Sequence, residues 1–271
     1  MKTAEAVTVL GTRGSFPTTG CDFLKYGGNT SCFLVDMGEE TVILDAGSGL
    51  VSLGTGVPLP DGRKHVHILL SHLHLDHIIG LFNFSLLHDP AAEICLYGEG
   101  YGGATLRSRL DDVLRPPYWP LGLDDFRARI EVREISPGVR LSLEDSVAVS
   151  TLRGNHPNNS LLYRLEGGGK TLVYALDCEI DEDTRAALTN FAQGADLLIW
   201  DATFAPGDLI PGWGHSTWQE GLVLGDRAGV KRVLMTHYSQ TYTDRYLSEQ
   251  EELGKADGRC LFAREGMVIP L

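Results

Sequence analysis

The sequence predicts an α/β protein in which stacked sheets are flanked by helices. Short apolar segments with strand periodicity recur in both halves of the 271-residue chain, and segments with helical periodicity lie between them. The 32 glycines include clusters at 27–28, 98–103 and 167–169, where tight connections between strands are expected. Neither a linker nor a change of composition separates the halves, so residues 1–271 are predicted to form one domain.

The predicted elements follow the chain in order. In the first half, strands are expected at 8–10, 31–36, 41–45, 65–71 and 93–97, with a helix at 78–88. In the second half, strands are expected at 130–135, 140–143, 147–152, 160–166, 171–175, 196–200 and 232–236, with further strands up to Leu271. Helical spacing predicts the remaining helices at 104–114, 183–193, 217–228 and 244–254.

Residues 98–128 differ from the rest of the chain and are predicted to be an insertion. Prolines at positions 116, 117 and 120 exclude regular structure there. A rigid aromatic loop of this kind could cap a pocket. The alternative is a surface loop that packs its own Trp119.

Composition and charge limit the classes of function. The net charge of −13 disfavours long DNA or RNA, whereas a small anionic substrate held by metal ions stays compatible with it. The five cysteines form no CxxC pair, which indicates reduced thiols in the cytoplasm. The apolar run at 7–10 is too short for a signal peptide, and we expect no membrane association. A homodimer is kept as an alternative to a monomer.

The most informative segment is His72-Leu73-His74-Leu75-Asp76-His77. It follows an apolar strand and precedes a segment with helical spacing, so its three imidazoles and one carboxylate share a single strand-to-helix turn. Strand alternation places the first two histidines on the same side. Because imidazole and carboxylate are the ligands that zinc and similar divalent metals prefer, the segment predicts a metal site.

Three further candidate ligands, His156, Asp177 and His237, come just after apolar strands. Each alone could be a capping or core residue. Together with the four in the turn they are too many for one tetrahedral zinc, and they suit two metals roughly 3.5–4 Å apart with a bridging carboxylate. We assign His72, His74 and His156 to one ion, Asp76, His77 and His237 to the other, and Asp177 to the bridge.

In this ligand order the chain resembles the metallo-β-lactamase-fold hydrolases, from Gly11 to His237. The resemblance implies a four-layer αβ/βα sandwich of two sheets with helices outside. It also implies a dinuclear site that usually holds Zn²⁺ and sometimes manganese or iron. A water shared by two such ions supplies hydroxide near neutral pH.

A second pattern resembles the phosphodiesterase branch of that superfamily, which includes ribonuclease Z and a cyclic phosphodiesterase. It consists of Gly214-His215-Ser216-Thr217 and Trp200-Asp201-Ala202-Thr203. By this resemblance His215 would steady the transition state or protonate the leaving oxygen, Asp201 would orient His215, and Asp76 would hold or accept the proton of the attacking hydroxide. Alternatively, Ser216 or Thr217 only caps a helix and Asp201 is a turn residue.

The chain also departs from this branch. Members that cut tRNA precursors carry a long basic arm, whereas residues 98–128 are short and not basic; some cyclic phosphodiesterases hold an extra zinc through paired cysteines, and Cys21 has no such partner. The glycine-rich turns at 11–14 and 27–28 are expected to support the floor of the site. Arg13 is expected to be solvated, with a phosphate contact as the alternative, and His65, His67 and His88 to be structural.

Three functional hypotheses remain at this point. The first is a dinuclear metal phosphodiesterase that acts on a small, for example cyclic, phosphodiester by means of a metal-bridging hydroxide. The second is a thioesterase or lactonase on the same metal site. The third is a non-catalytic metal-binding protein.

Overall fold

The computed structural model describes residues 5–271 and contains two seven-stranded sheets packed face to face. The strands of the first sheet are β1 (Ala6–Gly11), β2 (Cys32–Met37), β3 (Glu40–Leu44), β4 (His65–Leu69), β5 (Glu93–Gly98), β6 (Arg129–Glu134) and, from the C-terminus, β14 (Val268–Pro270). Those of the second are β7 (Arg140–Leu143), β8 (Val147–Gly154), β9 (Ser160–Gly167), β10 (Lys170–Ala175), β11 (Leu197–Asp201), β12 (Val233–Thr236) and β13 (Cys260–Phe262).

The two sheets have matching orders, β14-β1-β2-β3-β4-β5-β6 and β13-β12-β11-β10-β9-β8-β7. In the first sheet β3, β4, β5 and β6 run parallel to one another, and in the second β10, β11, β12 and β13 do so. Parallel neighbours bring their carboxyl ends to the same edge of a sheet. Residues that follow these strands are therefore collected at one edge of each sheet.

The core lies in three layers, as the alternation of the strands requires. On β11, Leu197 and Ile199 point into the cluster between the sheets, whereas Leu198 and Trp200 point into an outer cluster. The helices cover the outer faces: α1 (Leu75–Ile78) and α2 (Leu106–Val113) lie on the first sheet, and α3 (Glu182–Phe191), α4 (Trp218–Arg227) and α5 (Asp244–Gly254) on the second. The predicted sandwich with helices outside is confirmed.

The predicted helix at 78–88 is wrong. The structure has one helical turn, α1, which begins earlier, and then two 3-10 segments, Ile79–Asn83 and Ser85–His88. Gly80 explains the tight path, because a Cβ there would lie 2.1 Å from the carbonyl oxygen of Gly47. The apolar residues that suggested helical spacing instead pack into the cluster on the outer face of the first sheet.

Residues 98–128 contain α2 and a short 3-10 segment and pack onto that same outer face. Trp119 packs edge-on against Phe82, with ring centroids 5.3 Å apart, so this tryptophan is not placed over a pocket. Tyr101 and Arg109 from the same segment line a cavity that reaches His72 and His74. Within residues 5–271, none of the helices is long and apolar enough to cross a membrane.

Candidate metal centre

The candidate site lies where the carboxyl ends of the parallel strands of both sheets meet. The turn that carries His72 to His77 follows β4, and α1 begins inside it. Asp177, Asp201 and His237 follow or end β10, β11 and β12, which are adjacent parallel strands. His156 comes from the connection between β8 and β9. Sheet topology alone therefore gathers side chains that are far apart in the sequence.

Three residues at this edge have backbone dihedral angles that few residues adopt. Asp45, Asp177 and His237 have φ angles of 56°, 52° and 60°. Asp45 and His237 come directly after a strand of the parallel part of a sheet, and Asp177 follows β10 with one residue between. Left-handed backbone is uncommon outside glycine, although Asp, Asn and His adopt it more readily than other residues. Such positions persist only where the surroundings fix them, and they are frequent at functional sites.

The first ligand set, His72, His74 and His156, converges as the sequence predicts. One nitrogen from each ring lies within 4.8 Å of the others. Nε2 of His156 is 3.3 Å from Nδ1 of His74, and the ring centroids of His72 and His74 are 4.3 Å apart. This spacing leaves room for one ion between three imidazoles.

The second ligand set, Asp76, His77 and His237, also converges, with its donor atoms within 4.8 Å of one another. Nε2 of His77 is 3.2 Å from Nε2 of His237 and 3.2 Å from Oδ2 of Asp76. Two imidazole nitrogens that face each other at this distance do not stabilise each other without a proton or an ion between them.

Asp177 lies between the two ligand sets and turns one oxygen to each. Its Oδ2 is 3.2 Å from Nε2 of His77 and 3.3 Å from Nε2 of His237. Its Oδ1 is 3.8 Å from Nε2 of His156. A carboxylate in this position is suited to bridge two ions.

The outward nitrogens of three imidazoles are held by hydrogen bonds. Nδ1 of His77 is 2.6 Å from Oδ2 of Asp45, Nδ1 of His237 is 2.8 Å from Oγ1 of Thr203, and Nδ1 of His156 is 3.0 Å from the carbonyl oxygen of Gly214. Because a carbonyl only accepts, Nδ1 of His156 carries the proton and its Nε2 keeps the lone pair that faces the site. Partners of this kind fix ring orientation in metal sites.

Two buried atoms at the centre supply a direct test of whether this site fits a metal. Among the residues that the structure describes, neither Nε2 of His72 nor Oδ2 of Asp177 has a hydrogen-bond partner. An unpaired buried polar atom costs free energy, and a bound water or ion is one way in which a native protein satisfies it. Both are donors that divalent metals accept, so the residues present fit a divalent metal centre.

The protonation states of the first ligand set and of Asp76 agree with this assignment, whereas at His77 burial is outweighed by the carboxylates of Asp76, Asp177 and Asp45, which raise the pKa of the imidazole. Burial lowers the pKa of each imidazole of the first ligand set, despite the attraction of nearby Asp177. Burial would raise the pKa of Asp76, but the neighbouring His77 and His237 outweigh it and hold that pKa below its usual range. Neutral imidazoles and ionised carboxylates are the forms that bind metal.

His215 and Asp201 form a hydrogen-bonded pair beside the two ligand sets. Nδ1 of His215 donates to Oδ2 of Asp201 over 2.9 Å, and both side chains are buried. Burial lowers the pKa of His215, but the Asp201 carboxylate more than compensates and raises it to about 9. Asp201 is itself fixed, because it accepts hydrogen bonds from the backbone N–H groups of Asp177 and Thr203. If Asp201 only supported a turn, its hydrogen bond with the imidazole of His215 would have no explanation.

Thr217 does cap α4, since its side chain accepts from the backbone N–H of Glu220. The capping interpretation and the site interpretation of this motif are therefore compatible, because different residues carry them. His215 reaches the site two residues before the helix cap.

An open cleft of about 520 Å³ leads to these residues. Its walls include Ser15, Leu75, His156, Trp213 and His215. The indole of Trp213 is 59% exposed and Leu75 is 59% exposed, so the mouth of the cleft is apolar while its floor carries charged and imidazole groups. The volume lies in the range of small-molecule sites.

Sequence reasoning missed three contributors to the site. Asp45 is fully buried and holds His77; it follows an apolar strand just as the predicted ligands do, which is a signal that could have identified it. Thr203 holds His237, and the backbone N–H of Ser15 donates to Oδ2 of Asp76 over 2.7 Å.

The expectation of a solvated Arg13 is wrong: its guanidinium is buried and donates to the carbonyl oxygens of Gly27 and Tyr242.

The glycine-rich turn supports the site through close packing, as predicted. A Cβ at Gly14 would lie 2.3 Å from Nδ1 of His237. Gly14→Ala should therefore push this imidazole off position, and misplacement of a reacting group by about 1 Å can cost on the order of 100-fold in rate. The measurements are metal affinity and kcat/KM, with the melting temperature as a check of folding.

Gly258→Ala is the matched control, since no described atom lies within 4 Å of a Cβ there and its φ is not positive. If both substitutions had equally small effects on metal affinity and kcat/KM, the observed position of the His237 imidazole would not matter for either quantity.

Residues 40–238 match the family model described as the beta-lactamase superfamily domain. A ribonuclease Z from Halorubrum lacusprofundi is 27% identical in an alignment 314 positions long, gaps included, that covers 97% of this chain and 96% of that protein.

Two solved structures are similar over nearly the whole chain. The metallo-beta-lactamase fold protein YhfI from Bacillus subtilis superposes with a TM-score of 0.74 at 20% identity, covering 97% of this chain and 98% of that one. The short form of human tRNase Z gives a TM-score of 0.69 at 22% identity, with the same coverage of 97% and 98%. Both likenesses confirm the predicted fold.

Proposed function

Because this chain belongs to the beta-lactamase superfamily and is a metal-dependent hydrolase, we propose that its reaction is the hydrolysis of a small phosphodiester. The single observation that carries the proposal is the buried Asp201–His215 pair at the wall of the cleft, next to the two ligand sets. A protonated imidazole is useful when an alkoxide must leave phosphorus, and it has less to do in the attack on a carbonyl.

The ligand assignment is part of the proposal. His72, His74 and His156 would hold one ion, Asp76, His77 and His237 the other, and Asp177 would bridge them, with Zn²⁺ as the expected metal. The two oxygens of Asp177, each turned to a different ligand set, support a pair of ions rather than one. When bound, two ions would supply Lewis-acid polarisation of the phosphate oxygens and an acidified water.

The side chains of this chain then have separate tasks. The carboxylate of Asp76 is fixed by the backbone N–H of Ser15, and its low pKa supports orientation of the attacking water rather than proton uptake from it. His215 donates a proton to the leaving oxygen through the nitrogen that does not face Asp201. Asp201 acts through His215 and is a positioning residue.

A small substrate is preferred over a long RNA for two reasons. The cleft has the volume of a small-molecule site, and the net charge of −13 opposes the approach of a polyanion. The 27% identical relative is named ribonuclease Z, so RNA belongs in the test as a competing substrate.

The test is a substrate panel with the metal-loaded protein. We expect turnover of bis(p-nitrophenyl) phosphate and of cyclic nucleotides, with a much higher kcat/KM than for lactones or thioesters. Intact phosphodiesters alongside opened lactones or thioesters would overturn the proposal in favour of a carbonyl hydrolase. A higher kcat/KM on structured RNA than on small phosphodiesters would overturn the proposed substrate size but not the proposed phosphodiester hydrolysis. Tight metal binding without turnover of any substrate would overturn the enzymatic proposal and make the protein non-catalytic.

A further inference from the structure

A second cluster of metal-ligating side chains lies away from the site described above. His65 and His67 share one face of β4, and Cys95 is the register partner of His67 on the neighbouring parallel strand β5. The proposed metal centre follows the carboxyl end of β4, whereas His65 begins that strand. The two clusters are therefore at opposite ends of the strand.

The three side chains are arranged as ligands of one ion would be. One donor atom from each lies within 4.8 Å of the other two, and Nε2 of His65 is 4.0 Å from Sγ of Cys95. His67 is only 1% exposed, and within the described part of the chain its Nε2 makes no hydrogen bond. Oε2 of Glu40 lies 3.4 Å from that nitrogen and is available as a fourth donor.

The surroundings allow a cation to enter. A cavity of about 150 Å³ opens onto His65 and Cys95. The arginines that line it are already paired, Arg133 with Glu131 and Arg129 with Glu93, so their charges are offset by carboxylates. An entry path for the ion is one requirement of a metal site.

We propose that His65, His67 and Cys95 bind a borderline-soft divalent cation of the Zn²⁺ class at a site separate from the hydrolytic centre. Imidazole and thiolate together select zinc-like ions over Mg²⁺ or Ca²⁺, which prefer oxygen ligands. Four-coordinate zinc with protein ligands in every position is typical of structural sites, so this ion would tie β4 to β5, and through Glu40 to β3. The proposal does not depend on the substrate of the hydrolytic centre.

Cobalt substitution tests it in the full chain. Thiolate bound to Co²⁺ gives a near-ultraviolet charge-transfer band, and the donors of the hydrolytic centre are all nitrogen or oxygen, so the band reports only a cysteine ligand. We expect the band in the wild-type protein titrated with Co²⁺ and its loss in Cys95→Ser. His65→Ala, at a half-buried position, removes a different ligand and should weaken or shift the band.

Cys178→Ser is the matched control, because Cys178 is buried and adjacent to Asp177 and so would be the alternative source of thiolate. It should leave the band unchanged. No band in the wild-type protein, or a band that survives in Cys95→Ser, overturns the proposal. Should Cys95→Ser fail to fold, an unchanged band in His65→Ala would overturn it instead.

Discussion

His215→Ala should slow phosphodiester hydrolysis by about 10²–10⁴-fold, the usual contribution of a positioned general acid. The imidazole is held by Asp201 at 2.9 Å and lines the cleft, so its removal takes away a proton donor without removing a predicted metal ligand. Metal content should therefore stay at the wild-type level. The measurement is kcat/KM on a series of phosphodiesters, together with elemental analysis of the variant.

Leaving groups of different basicity distinguish the two roles that His215 could have. If it protonates the leaving oxygen, the loss in His215→Ala is small for p-nitrophenolate and grows for alkoxides, which need a proton to depart. If it only stabilises charge on phosphorus, the loss is the same across the series. His88→Ala is the control, because His88 packs edge-on against Phe126 outside the cleft. An equal loss on lactones and phosphodiesters would contradict the proposed role.

Asp201 should matter mainly through its partner. Asp201→Asn is expected to lower kcat in the wild-type background and to have a much smaller effect in His215→Ala, since residues that act as a unit are not additive. A full additional loss in the double variant would show that Asp201 acts independently, for example through the backbone of Asp177.

The fold was predictable because two periodicities were clear in the sequence. Strands with alternating faces, such as β8, and the helix Asp244–Gly254 lie where the pattern placed them. The segment at 78–88 was not predictable in this way, since close packing of Gly80 on a backbone carbonyl forces a tighter path than apolar spacing indicates. Local pattern identifies an element, but a contact made from elsewhere in the chain can change its form.

The convergence of the candidate ligands was predictable from one rule, that residues following parallel strands gather at one edge of a sheet. The partners of those ligands were not. Asp45 and Thr203 bind the outward nitrogens of His77 and His237, and that pairing depends on ring rotation and on contacts between sheets. Arg13 shows the same limit, because its burial follows from carbonyl groups that belong to two distant loops.

Asp177→Asn should reduce metal affinity by more than about 100-fold, because loss of an outer partner alone commonly costs 10–100-fold. The amide cannot give two anionic oxygens, one to each ligand set, as Asp177 does. Asparagine also tolerates the left-handed backbone found here, φ 52°, so the substitution changes charge without the strain that alanine would add. Elemental analysis and metal titration measure the effect.

Thermal unfolding gives an independent measure of the same change. An ion that binds only the folded state stabilises it by RT ln(1 + [L]/Kd), so a 100-fold weaker affinity removes about 2.7 kcal/mol of metal-dependent stability. Asp196→Asn is the control: Asp196 is also buried, but it pairs with Lys231 at the start of β11, away from the ligand sets. Its metal-dependent stabilisation should be unchanged. If Asp177→Asn kept that stabilisation as well, the carboxylate between the two ligand sets would not be a metal ligand, and the proposed pair of ions would lose its bridge.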